Sequence, residues 1–402
     1  MKYEVAVIGA GPAGSTAAYH AVKSGLKTLL LEEHRVAGTP PHCAGKLTVK
    51  AFSQFQLPSK LILNSVRGAF LLSPGGLEIQ VSKPTYDSHI IDREALDRFL
   101  ASRAQNAGAE AMFKAKVSRI IFQSSGFLLK GRGFEVETSL LVLAEGASGK
   151  LADALGFPSL PKVKGFQLEL EGFEPRRKDF VEVFLGCKFF PGFFGWVIPL
   201  GDGKVRLGLC VSSRASPRVF LEKALKEHPC LSTRVGKAKI LRTYGGLIPL
   251  HGPKSATYHP RGILLAGDVA GHVKSTTGGG VYFGMMAGKL AGEAASHAFD
   301  EGLEKGLRGY EKACLKAFGR ELAFTSRVRS FLNSLSDKDL DEIFKLASNR
   351  EVIEVAQTYG DTAYQSRVWK PLLKTSFKMA LKKPRNMALL VKLSAKILQS
   401  LL

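Results

Sequence analysis

The turn Gly9-Ala10-Gly11-Pro12-Ala13-Gly14 constrains this chain more than any other stretch. Before it, residues 5–8 form a continuous apolar run, the pattern of a parallel strand buried on both faces. After it comes an alanine-rich segment with Ala17, Ala18 and Ala21 on a small face, then a second apolar run, residues 28–31, ending in Glu32. The three glycines have separate tasks. Gly9 permits the sharp turn, Gly11 lets a pyrophosphate approach the backbone, and Gly14 lets helix and strand pack closely. The helix start offers free amides and the positive end of its dipole to phosphate. A carboxylate about twenty residues beyond the glycines hydrogen-bonds a ribose hydroxyl, the role that falls to Glu32. Strand, glycines, helix, strand and acid in this order predict a Rossmann-like α/β domain that binds NAD or FAD, with Glu33 a surface neighbour.

A second marker lies far downstream, in AGDVAGHVKSTTGGGV. Residues 263–265 read as another buried strand, which runs into Ala266-Gly267-Asp268, and a helix is expected to begin near Gly279 or Gly280. A carboxylate at a strand's end, Asp268, suits a ribityl hydroxyl of FAD. The positive helix start suits the edge of an anionic reduced flavin. Gly284, Ala287, Gly288, Ala291 and Gly292 give this helix a small face, expected to lie close to the cofactor or a neighbouring strand. With both markers present, FAD is the cofactor the sequence predicts.

A chain of 402 residues and ordinary composition has room for two or three domains. Its five cysteines (Cys43, Cys187, Cys210, Cys230 and Cys314) form no CxxC pair and join no histidine cluster. That argues against a zinc or iron–sulfur site and fits a reducing cytoplasm. The first residues read as a strand rather than a signal peptide, and no uncharged apolar stretch reaches the roughly 18–20 residues of a spanning helix. A net charge of +22 points to an anionic partner, such as an acidic membrane surface or an anionic substrate. No nucleic-acid-binding motif accompanies the charge, so nucleic acid is not the expected partner.

Four motifs then converge: GAGPAG with Glu32, PHCAGK, PGFFGWVIPLGDGKVRLGLCV and AGDVAGHVKSTTGGGV. Together they resemble the geranylgeranyl reductase family, within the p-hydroxybenzoate-hydroxylase-like flavoproteins, over residues 1–300. The chain is similar to archaeal members that saturate the isoprenoid chains of ether phospholipids. Beside Gly9, Gly11 and Gly14, the resemblance implies FAD contacts at Ala13, Glu32, Cys43, Ala44, Arg93, Asp268, Gly280 and Val281. It gives weight to Phe194, Trp196 and Pro199 as substrate-binding residues. Phe189, Phe190 and Phe193 are further candidates for an apolar wall, or ordinary core. The implied reaction is reduction of a C=C bond by hydride from reduced flavin, with a proton supplied to the other carbon. Cys43 is the candidate catalytic residue, either as proton donor or as a shape element under the ring. Three motifs depart from the family pattern. Lys46 stands where small residues are common, Phe194 and Ile198 where a tyrosine and an aromatic are usual, and Glu145 where related hydroxylases have aspartate.

Between the two markers a hairpin is expected around Pro74-Gly75-Gly76, a helix over residues 92–106, and three short strands up to Leu143. Several strand runs with one helix, near residues 217–227, fill residues 164–250. The expected domains are an FAD-binding domain of residues 1–60, 88–160 and 255–302, a mostly antiparallel β-sheet substrate domain of residues 61–87 and 161–254, and a helical C-terminal region, 303–402. From residue 366 onward there are nine Lys/Arg and no Asp or Glu, and residues 386–402 have amphipathic spacing. This end either docks on an anionic lipid surface, which would make the cytoplasmic protein peripheral at the membrane, or packs on the body; a substrate-tunnel wall is compatible with both. No second dinucleotide fingerprint is present, so the electron donor stays open between a nicotinamide, a ferredoxin and another carrier. Reduction of geranylgeranyl diphosphate or another prenyl chain is the alternative activity, and flavin monooxygenation of an aromatic or apolar substrate a further one.

Overall fold

A computed structural model describes residues 2–212, 216–236 and 238–382. The amphipathic segment expected at 386–402 lies outside them. The described chain divides into two compact units, each assembled from three separated segments.

The first unit comprises residues up to 41, 92–161 and 248–323. Its sheet has Lys2–Ile8 at the centre, parallel to Thr28–Leu31 on one side and Phe134–Leu143 on the other. Glu110–Met112 and Ile263–Leu265 extend it, also in parallel, and Tyr258–His259 adds an antiparallel edge. The central strands are buried on both faces, which is why their sequences are unbroken apolar runs. Helices Pro12–Lys23 and Val281–Asp300 pack backbone to backbone. A Cβ on Gly288 would sit 2.1 Å from the Ala13 carbonyl oxygen, and one on Gly292 2.6 Å from that of Ala17. The two small-residue faces expected from sequence therefore serve each other. The segment expected to hold three strands up to Leu143 holds four; Glu110–Met112 is three residues long, too short to show a period.

The second unit comprises residues 42–91, 162–247 and those described from 324 onward. A seven-stranded sheet runs in the order Lys239–Pro249, Lys162–Glu171, Lys204–Val211, Gly195–Gly201, Phe180–Phe184, Gly68–Leu72, Glu78–Ser82. From Lys162–Glu171 to Glu78–Ser82 the pairings are antiparallel except where Phe180–Phe184 meets Gly68–Leu72. A small sheet joins Lys46–Thr48, Ser88–Ile91 and Ile62–Val66. One helix was expected between the strands and two are present, Pro217–Glu227 and Pro229–Val235; the second spans only two turns, below the reach of a helical period.

Strand alternation gives the large sheet two chemically different faces. Val205, Leu207, Leu209 and Val211 point with Leu168 and Leu170 into a hydrophobic core shared with Leu221, Ala224 and Leu231. The intervening residues, Arg206, Gly208, Cys210, Gln167 and Glu169, fall on the other face. No described helix is long and apolar enough to cross a membrane.

Candidate active site

The glycine turn of the first unit is built as the sequence predicts, and its three glycines answer to different constraints. Gly9 has φ 102°, and a Cβ there would meet the Ala144 carbonyl oxygen at 2.3 Å. A Cβ on Gly14 would lie 1.9 Å from the Gly9 carbonyl oxygen. Gly11 is different. Its backbone is extended, and a Cβ would find no atom within 4 Å. Nothing in the chain's own packing requires a glycine there, and the open space lies at the N-terminus of the Pro12–Lys23 helix, where phosphate is favoured. The residues present thus fit a dinucleotide such as FAD.

Glu32 closes the turn from the second strand: Oε2 accepts the Ala10 amide at 2.8 Å, and Oε1 accepts the His34 amide at 3.0 Å. A carboxylate has lone pairs to spare for a ribose hydroxyl beside these bonds. Arg93 begins the Arg93–Asn106 helix and grips Asp97 one turn on, with Nη2 3.1 Å from both carboxylate oxygens. Its charge also reaches Asp268, but burial outweighs it and pushes the Asp268 carboxyl up to about 6. A Cβ on Gly280 would sit 2.9 Å from Asp268 Oδ1, so the approach to the Val281–Asp300 helix stays close only with glycine. His272, in the same loop, is fully buried. Its Nδ1 accepts the Gly267 amide, its ring meets Phe318 edge-on, and burial drives its pKa down to about 3. Glu145, the residue replacing aspartate, accepts the Leu151 and Ala152 amides at the start of the Lys150–Ala154 helix, an end-capping role.

Cys43 and Ala44 belong to the second unit, and there the structure brings them to residues the motifs left unassigned. The thiol sulfur accepts the Gly45 amide at 3.3 Å. His42 Nδ1 lies 3.0 Å from the Gly245 carbonyl oxygen. The Ala44 carbonyl accepts Arg206 Nη1 at 3.0 Å. Arg206 is buried on the polar face of the sheet, directly opposite Glu169, whose Oε1 accepts both Arg206 Nε and the Tyr244 hydroxyl at 2.9 Å. Burial chiefly raises the Tyr244 pKa, with the charge of Arg206 opposing it. Ala44 and Trp196 pack on one hydrophobic cluster, with Ile198 and Val66 in its core. Lys46, the other departure, is desolvated, which lowers its pKa, and donates to Ser88 Oγ at 2.7 Å.

Among the aromatic candidates, only Phe194 and Trp196 are half-exposed; Phe189, Phe190 and Phe193 are buried, the first two within the main core of the unit. Trp196 lies over Gly208, where a Cβ would come within 2.8 Å of the indole, and its Nε1 donates to Gln167 at 3.3 Å. Phe194 meets Trp196 edge-on and stacks on Phe193. Pro199 is buried in the strand, its carbonyl accepting Asn64 Nδ2 at 3.0 Å. Glu169, Arg206 and Tyr244 were not found by motif reasoning. The available signal was an arginine and a glycine at alternate positions of an otherwise apolar strand, VRLGLCV.

A family model described as pyridine nucleotide-disulphide oxidoreductase matches residues 3–174. Among curated proteins, digeranylgeranylglycerophospholipid reductase 2 of Methanothermobacter thermautotrophicus is 31% identical, covering 89% of this chain and 94% of its own length. The enzyme of the same name from Methanopyrus kandleri is 29% identical, covering 89% and 96%. Among solved structures, a geranylgeranyl bacteriochlorophyll reductase-like protein of Thermoplasma acidophilum superposes with a TM-score of 0.83, at 24% identity, over 98% of this chain and 99% of that one. The described fold is therefore shared, and the chain belongs to the geranylgeranyl reductase family of FAD-dependent oxidoreductases, alongside the digeranylgeranylglycerophospholipid reductases.

Proposed function

We propose that this protein is an FAD-dependent reductase that saturates C=C bonds in the geranylgeranyl chains of archaeal-type ether phospholipids. The observation that carries the reading is the relationship to a reductase of that name across nearly the whole of both chains. In the first unit Gly9, Gly11, Ala13, Gly14, Glu32, Arg93, Asp268, Gly280 and Val281 hold the cofactor. In the second, Cys43 and Ala44 serve the flavin and the alkene, and Phe194, Trp196 and Pro199 shape the prenyl site.

An isolated trisubstituted alkene has no carbonyl to activate it. Reduced FAD, when bound, supplies the hydride for the more substituted carbon. The other carbon needs a proton, and Cys43 is suited to give it. Its sulfur already accepts the Gly45 amide, which leaves the S–H to donate elsewhere. The thiolate then regains its proton from solvent, and one hydride plus one proton account for the added hydrogen pair. Half-exposed Phe194 and Trp196 offer an isoprenoid chain apolar surface, so that positioning supplies much of the catalysis. Delivery of the substrate is assigned to the Trp369–Lys382 helix, where exposed Trp369 and Leu373 alternate with exposed Lys370 and Lys374 in a pattern suited to an anionic lipid surface.

The test is anaerobic. The FAD-loaded enzyme is reduced with dithionite and mixed with unsaturated ether phospholipid in anionic vesicles; flavin reoxidation and lipid mass are followed. Gain of hydrogen pairs, slowed by salt and in neutral vesicles, is the expected result. Hydroxylated aromatic products in air, with no lipid reduction, would overturn the reading in favour of a monooxygenase. In Cys43→Ser, retained FAD with lost reduction supports the donor role, and full reduction excludes it.

A further inference from the structure

Arg206 is a buried cation in the middle of a sheet, and such a charge is expensive unless its bonds are well made. A plain ion pair with Glu169 would account for one edge of the guanidinium. The other edge is committed as well. Nη1 donates to the Ala44 carbonyl at 3.0 Å and to the Ile91 carbonyl at 3.2 Å. These two carbonyls come from segments far apart in sequence, and both adjoin the turn that carries Cys43. Ala44 follows the cysteine directly. Ile91 is tied to the next residue, its amide donating to the Gly45 carbonyl at 2.9 Å.

The fit between turn and guanidinium is close. Gly45 has φ 80°, and a Cβ there would lie 2.3 Å from Arg206 Nη1 and 2.7 Å from the Ile91 carbonyl oxygen. Glu169 fixes the opposite edge through Oε1, itself held by the Tyr244 hydroxyl, so the arginine cannot swing without giving up that bond as well. On the near side of the thiol, His42 is tied to Gly245, the neighbour of Tyr244. Both flanks of Cys43 are thus anchored to one sheet, on two strands that flank Lys162–Glu171. A planar fork can meet a carboxylate and two carbonyls at once, and a lysine ammonium on a flexible stem cannot hold the same three acceptors in that geometry.

We propose that Arg206, locked by Glu169 and Tyr244, is a positioning residue of the reductase, setting the Cys43 thiol by its grip on the Ala44 and Ile91 carbonyls. This rests on the proton-donor reading of Cys43. The test uses the full-length, FAD-loaded protein as wild type, Arg206→Lys, Tyr244→Phe, Cys43→Ser and the Cys43→Ser/Arg206→Lys double variant. Three quantities are read: kcat and KM on the prenyl lipid, bound FAD, and the rate of Cys43 alkylation by iodoacetamide, followed on its own peptide by mass. Arg206→Lys is expected to lower kcat about 10–100-fold, with KM within about twofold and FAD content unchanged, because displacement of a reacting group by an ångström is felt on this scale. The Cys43 alkylation rate should change at least about fivefold, and the double variant should be no slower than Cys43→Ser alone, the signature of two residues acting as one. Tyr244→Phe removes one bond and should move the same quantities in the same direction by about 2–5-fold; it keeps the comparison readable if Arg206→Lys does not fold. An unchanged alkylation rate in both single variants, or a double-variant loss equal to the product of the two single losses, overturns the proposal. Full turnover in Cys43→Ser removes the donor reading itself, and the alkylation rates then decide whether Arg206 positions the turn.

Discussion

Two carboxylates withdrawn from water show how the two units differ. Glu182, in the second, is fully buried; it meets both terminal nitrogens of Arg234 at 2.6 and 2.7 Å and accepts the Arg176 amide. Asp268, in the first, is pushed up to about 6 because burial outweighs the field of Arg93, which is itself committed to Asp97. His272 stands four residues from it, buried and neutral, with no hydrogen-bond partner for Nε2 among the described residues. Glu182 has its charge satisfied within the chain, as Arg206 has through Glu169 and the Ala44 and Ile91 carbonyls. The first keeps polar groups at a strand end and loop where the chain's own atoms do less to satisfy them. That is the difference between a frame that holds a side chain still and a surface shaped for a ligand.

The sharpest way to break this contrast is inside the glycine turn. Gly14→Ala would drive a Cβ to 1.9 Å from a backbone oxygen and should abolish the folded flavoprotein, a cost above about 3 kcal/mol, read as loss of soluble, flavin-loaded protein. Gly11→Ala places its Cβ in open space; the thermal midpoint without FAD should stay within about 1–2 °C while FAD affinity falls about 100-fold, read by flavin fluorescence. A drop in the FAD-free midpoint would show that the space belongs to the chain and not to the cofactor.

His272 gives the next largest effect. Its pKa lies below the unfolded value of 6.5, so the unfolded chain binds the extra proton between pH 6.5 and 3, and stability is lost as pH falls through that window. His272→Asn keeps an acceptor for the Gly267 amide without the titration. At pH 4.5 it should recover up to about 2.7 kcal/mol relative to its effect at pH 7.5, measured by urea unfolding. An unchanged pH slope would mean that His272 titrates normally. In the second unit, Gly208→Ala would press on Gln167 and on the Trp196 indole, at 2.4 and 2.8 Å. KM for the prenyl lipid should rise about tenfold with FAD content unaffected. Loss of FAD instead would erase the division of labour between the units.

The two units were also unequally legible from sequence. Gly9, Gly11, Gly14 and Glu32 lie within one local strand–turn–helix–strand passage, so each constraint acts on near neighbours and leaves its mark at fixed spacing. Thr28–Leu31 and Ile263–Leu265 were readable for the same reason: strands buried on both faces have nothing but apolar residues. Glu169, Arg206 and Tyr244 sit on three different strands and meet only through sheet register, which no single stretch of sequence encodes. Pro229–Val235 left no readable mark because a helical period needs more residues than it contains. The small faces of the Pro12–Lys23 and Val281–Asp300 helices were visible, but not that each was made for the other.

The alternation along Lys204–Val211 has an evolutionary corollary. Deleting a single residue just before Arg206 would rotate everything after it by half a turn of the pleat, putting leucines where the Cys43 turn is gripped and a guanidinium into the hydrophobic layer. A point substitution there can be graded, whereas a change of length cannot. Drift in the length of this unit must therefore be absorbed by its connections, such as residues 172–179, while the strands that carry the arginine and its partners remain, in effect, a counted string.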